Sequence, residues 1–155
     1  MTPSLGVEWL VPGPATGDGI MTGPYDPVQS AASLQLVLDM VSGLERSPGG
    51  IEAMGMNFVV DADYRLPQLN SVTVPEGVEE DKVRAALLND YNLEIGAGLG
   101  ALAGKVWRIG LMGESCCKTN VLLCLGALDA VLSDLGAPVQ SGVAVQAAMQ
   151  AYAQL

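Results

Sequence analysis

A lone guanidinium stands in the apolar run Lys105-Val-Trp-Arg-Ile-Gly-Leu-Met-Gly113, and that limits the folds open to the chain. A run of this kind reads as a strand from Lys105 to Leu111, and strand alternation divides its side chains. Lys105, Trp107, Ile109 and Leu111 fall on one face; Val106, Arg108, Gly110 and Met112 fall on the other. Arg108 therefore points away from Trp107. Taking a charged group out of water costs several kcal/mol unless it is paired, and the planar arginine fork meets a carboxylate at two points. The partner is either a ligand carboxylate or one of the chain's own 17 acidic side chains, and Gly110 leaves room for both.

The segment before this strand, Gly96-Ala-Gly-Leu-Gly-Ala-Leu-Ala-Gly104, has enough glycine to suggest a phosphate loop. Its context excludes that. A dinucleotide fingerprint opens a helix, whereas an apolar strand follows here; a P-loop needs Ser or Thr after Gly-Lys, whereas Val106 follows Lys105. The segment containing Gly96, Gly98 and Gly100 reads instead as a close-approach loop. Further strands are expected at residues 56–60, 70–74 and 93–95.

Helices alternate with these strands. Asp26-Pro27-Val28-Gln29 combines an N-cap, a first-turn proline and a capping-box partner, and Val28, Ala31, Leu34, Leu38, Val41 and Leu44 follow at helical spacing. That helix is expected to end near Arg46, before the breaker Pro48-Gly49-Gly50. A second helix spans Glu79 to Tyr91, with Val83, Leu87 and Tyr91 on one face and a Glu80–Arg84 pair one turn apart. Thr119 or Asn120 is expected to cap a third, facing Val121, Leu125, Leu128, Leu132 and Leu135 inward and ended by Gly136 and Pro138. Ser141 is expected to open a fourth carrying Val145, Ala148, Met149 and Tyr152.

The chain has 155 residues, half of them apolar, enough to bury one core; its 5% aromatic content means that Leu, Val, Ala and Met must build it. A net charge of −10 repels phosphate backbones and anionic lipid, so nucleic acid is not an expected partner. Neither a membrane span nor a secretion signal is legible, which makes the cytoplasm the expected location. The terminal Gln154-Leu155 lacks the basic residue of a peroxisomal tail. Cys116, Cys117 and Cys124 are an odd number, clustered, with no histidine to complete a metal site. They read as reduced thiols at the start and on the buried face of a helix, and no metal is expected.

Three segments occur in order: Arg65-Leu-Pro-Gln-Leu-Asn-Ser-Val-Thr-Val-Pro75, Glu94-Ile-Gly-Ala-Gly-Leu-Gly100 and Gly104-Lys-Val-Trp-Arg-Ile-Gly-Leu-Met-Gly113. Together they resemble the alanine–glyoxylate/serine–pyruvate aminotransferases, class V enzymes of the fold-type I pyridoxal-phosphate group. The resemblance covers residues 51–155 and places them in the family's C-terminal small domain. It implies an α+β fold, a small mainly antiparallel sheet covered by helices. It also implies that Arg108, at the position of the family's carboxylate-binding arginine, holds a small amino acid or 2-oxo acid substrate, with Gly96, Gly98 and Gly100 shaping the site.

Residues 1–47 carry a weaker likeness to the family's N-terminal arm and helix, through Leu10-Val-Pro-Gly-Pro14, Met21-Thr-Gly-Pro24 and Asp26-Pro27. Residues 48–50 are then a junction, with the family's central cofactor domain missing between the two ends. Lys82, Lys105 and Lys118 are the lysines present, and none matches the family's cofactor lysine. The complete family enzyme uses pyridoxal phosphate; this chain is expected to bind none and to be inactive alone. The resemblance also implies a homodimer or association with a full-length subunit. The competing expectation is a non-enzymatic dimerisation or interaction module derived from the same family.

Overall fold

A computed structural model of the chain describes residues 43–44, 47–66, 68–112 and 116–153. The N-terminal motifs and the helix predicted from Asp26 lie outside the described residues, apart from Gly43 and Leu44, which lie in a strand and not in a helix. Gly43–Leu44 (β1) pairs antiparallel with Ser47–Pro48 (β2), placing Gly43 opposite Pro48 and Leu44 opposite Ser47. Proline drives the residue before it towards extended backbone, and glycine is a weak helix former, which suits a strand pair where a helix end was expected. Pro48-Gly49-Gly50 then acts as a helix start. Gly49 caps α1, Gly50–Ala53, which buries Gly50 and Ile51.

The main sheet has three antiparallel strands in the order β3 (Leu69–Thr73), β5 (Val106–Gly110), β4 (Gly96–Ala97). Two expected strands differ from what forms. Residues 56–60 meet β3 through a single bridge, Phe58 opposite Val72. The chain then leaves the sheet in a short 3-10 turn, Ala62–Tyr64, capped by Asp61. Arg65 holds this loop, its guanidinium 4.1 Å over the Phe58 ring and its Nε donating to the Val60 carbonyl at 2.9 Å. Residues 93–95 bury Leu93 and Ile95, but strand pairing starts at Gly96, inside the glycine-rich segment.

Helices cover one face of the sheet. α2 (Glu80–Tyr91) buries Val83 and Leu87, carries the expected Glu80–Arg84 pair at 2.6 Å, and ends at Asn92 in the left-handed conformation. α3 (Lys118–Asp134) buries Val121, Leu125, Leu128 and Leu132. Cys117 is its N-cap, so Thr119 and Asn120 lie within the first turn, and Leu135 is the C-cap, 49% exposed. Gly136 at φ 68° ends the helix, with Ala137 N donating to the Leu132 carbonyl at 2.9 Å, the bond of a Schellman motif.

α4 (Ala144–Tyr152) is capped by Val143, while Ser141 bonds the Ser133 hydroxyl at 2.7 Å. Its buried face is Ala144, Ala147, Ala148 and Ala151, leaving Val145 and Met149 outside. Close packing selects the small residues. A Cβ on Gly50 would meet the Leu125 side chain and come within 3.0 Å of the Ala144 carbonyl. Val72, Trp107, Ile109, Leu111 and the buried helical residues form one continuous core. Trp107 is fully buried, its indole N–H donating to the Glu80 carbonyl at 3.3 Å, which ties β5 to the start of α2.

Candidate functional site

Register puts Ser71, Arg108 and Gly96 in one row across the three strands, on the face opposite Val72 and Trp107. Arg108 is half-buried there, between a small hydroxyl residue and a glycine. Its Nε donates to the Ala97 carbonyl at 2.7 Å, which anchors the guanidinium against the glycine-rich segment. The sequence pointed to Arg108 but not to Ala97, because a backbone acceptor leaves no trace in residue type. Ser71 was hidden for a related reason: which residue lies across a sheet depends on register.

The loop after Ala97 is held by its own backbone. Gly98 N donates to the Val106 carbonyl at 2.7 Å, Leu102 N to Leu99 at 3.0 Å, and Lys105 N to Leu102 at 3.1 Å. Gly98 is buried, and a Cβ there would collide with the Leu102 carbonyl. Gly100 and Gly104 hold φ values of 56° and 75°, conformations that side chains disfavour. Among these residues the glycines thus do different work: Gly96 leaves the row beside Arg108 open, Gly98 permits close approach and Gly100 permits the turn.

No family model matches the sequence. Over 103 residues the chain is 44% identical to the (S)-ureidoglycine–glyoxylate transaminase of Bacillus subtilis, an alignment of 66% of this chain and 25% of that protein. It is 41% identical over 93 residues to an alanine–glyoxylate aminotransferase of Drosophila melanogaster, covering 59% of this chain and 22% of that protein. The solved ureidoglycine–glyoxylate aminotransferase of Bacillus subtilis matches with a TM-score of 0.69 and 37% identity, over 81% of this chain and 30% of that one. The chain belongs to the class V alanine–glyoxylate aminotransferase family. It spans about a quarter of the length of the curated relatives it matches. The helix-covered antiparallel sheet agrees with the α+β fold expected from the sequence.

This aminotransferase family is pyridoxal-phosphate-dependent, which raises the question of whether the described residues fit the cofactor. They do not. Lys82 is exposed and ion-paired with Glu79, a contact that raises its pKa through the hydrogen bond and the charge. Lys105 is exposed at the entry to β5, and the Lys118 ammonium lies 3.7 Å over the Tyr152 ring. A cleft of about 220 Å³, lined by residues including Asn57, Thr73, Glu76 and Val139, contains no lysine and lies away from Arg108. In the glycine-rich loop, the amides of Gly98, Leu102, Ala103 and Lys105 are spent on internal bonds.

The cysteines stand where a reduced reading places them. Cys117 is exposed at the α3 N-cap, Cys116 is half-buried, and Cys124 is buried on the inner face. Burial pushes the Cys124 thiol up to about 12 and also raises Cys116, with a smaller contribution from Cys117. Among the described residues, no group of three or more Cys, Asp or Glu side chains could hold a metal ion. No helix among them is long and apolar enough to cross a membrane.

Proposed function

We propose that this chain supplies the carboxylate-orienting part of a pyridoxal-phosphate-dependent transaminase, one that moves amino groups between alanine or serine and glyoxylate or pyruvate. Arg108 is the substrate residue, and residues 51–155 are the small domain that carries it. The observation behind this reading is the Arg108–Ala97 bond, which fixes the guanidinium at the edge of the glycine-rich loop before any ligand arrives. The planar guanidinium suits a two-point grip on a carboxylate. Gly96 and Ser71 add little bulk on either side, which suits a small acid.

Without a lysine that fits the cofactor, the isolated chain binds and orients but does not turn over. Two measurements test this together. Purified chain incubated with pyridoxal phosphate and gel-filtered should retain no stoichiometric absorbance that borohydride fixes to a lysine. With alanine, glyoxylate and added cofactor it should form no pyruvate. Sustained pyruvate formation overturns the claim of inactivity.

The second reading is an association module, and α4 favours it. Val145 and Met149, 38% and 41% exposed, stand together on its outer side as neighbours one helical turn apart. A chain that sediments as a dimer, and dissociates when both become glutamate, would support that reading; a monomer at all concentrations would remove it.

A further inference from the structure

We propose that Ser71 is a second carboxylate-binding residue, its hydroxyl donating to the same substrate carboxylate that Arg108 holds; the inference rests on the Arg108 reading above. Three observations carry it. First, Ser71 lies directly opposite Arg108 in the β3–β5 register. The bonds from Val74 N to the Lys105 carbonyl and from Leu111 N to the Gln68 carbonyl, both 2.9 Å, set the phase of the ladder. In that phase Ser71 and Arg108 form a non-hydrogen-bonded pair, the arrangement in which facing side chains come closest, with Cβ atoms about 4.5–5.5 Å apart.

Second, Ser71 is half-buried, yet no described residue hydrogen-bonds its hydroxyl; its carbonyl is used separately, accepting from Val59 N at 2.9 Å. A hydroxyl rotates freely and donates well to an anion. Third, the position across Arg108 on the other flank is Gly96, which has no side chain. Within this row Ser71 is therefore the neighbour able to add a donor. An ionised carboxylate has about four lone-pair sites, more than a single arginine fills, so it has room for a further donor. The ligand class is a small monocarboxylate, with the guanidinium in its plane and the Ser71 hydroxyl approaching from β3.

The test is titration of the isotope-labelled full chain with pyruvate, following the Arg108 Nε–H resonance, in the unsubstituted protein and in Ser71→Ala, Ser71→Thr and Arg108→Ala. The latter variant lacks the reporter, so all four are also compared by calorimetry. The expected pattern is saturable binding in the unsubstituted chain, affinity weakened about fivefold or more in Ser71→Ala, affinity within about twofold of the original in Ser71→Thr, and none in Arg108→Ala. Unchanged affinity in Ser71→Ala, with binding still lost in Arg108→Ala, overturns the role of Ser71 and leaves that of Arg108 standing. Equal weakening in the alanine and threonine variants also overturns it, because packing and not the hydroxyl would then be the cause. Binding that survives Arg108→Ala, or no saturable binding in the unsubstituted chain, overturns both.

Discussion

Arg108 Nε donates to the carbonyl of Ala97 at 2.7 Å, so the proposed substrate residue and the loop beside it hold each other in place. Arg108→Lys keeps the charge but replaces a planar fork with a single ammonium. It should bind pyruvate little better than Arg108→Ala, and amide exchange at residues 97–104 should quicken. Lysine affinity close to that of arginine would show that charge alone suffices.

Gly98 sits where a Cβ would strike the Leu102 carbonyl, a backbone atom that cannot swing aside. Gly98→Ala should therefore destabilise the chain by about 1–3 kcal/mol, the usual cost of an overpacked site, and displace Ala97 from Arg108. Denaturant unfolding measures the first effect and the Arg108 Nε–H resonance the second. Gly126→Ala is the control, since a Cβ there meets the nearest atom of Val145 at an ordinary 3.6 Å.

Asp129 is buried in α3, and its Oδ2 accepts from the Gly142 amide at 2.7 Å, which fixes the connection into α4. Ser133 donates to its Oδ1 at 3.4 Å. Asp129→Ala leaves a partly buried amide without its acceptor and should cost about 1–3 kcal/mol in equilibrium unfolding. Asp129→Asn, which keeps a carbonyl oxygen, should cost less.

Cys124 links stability to alkaline pH. Burial pushes its folded pKa up from 9.0 to about 12, so the folded state keeps the proton longer than the unfolded chain does. Its contribution is complete below about pH 9 and declines as pH rises towards 12, at up to about 1.4 kcal/mol per pH unit. Cys124→Ala should flatten that part of the profile. In the native chain at neutral pH, iodoacetamide should label exposed Cys117 before Cys116 and leave Cys124 unmodified until unfolding, as mass spectrometry would show.

Much of this was legible in the residues themselves. Alternation in the run around Arg108 separated Trp107 and Ile109 from Arg108, because a strand's period is set by its covalent geometry. The limits of the Glu80–Tyr91 helix and its Glu80–Arg84 pair were readable for the same local reason. Gly136 ended α3 as expected, since left-handed backbone favours glycine.

Tertiary structure decided what depends on contact between distant segments. The inward face of α4 is alanine and not Val145 or Met149, because the close packing around Gly50 has no space for larger side chains. Residues 56–60 reached the sheet at one bridge, because Arg65 and Phe58 draw the following loop away from β3. Above all, the lone cation Arg108 within an apolar strand was written in the sequence, whereas its acceptor Ala97 and its neighbour Ser71 were not. Residue type fixes which side chain needs a partner; register and loop closure, which come from long-range packing, select the groups placed beside it.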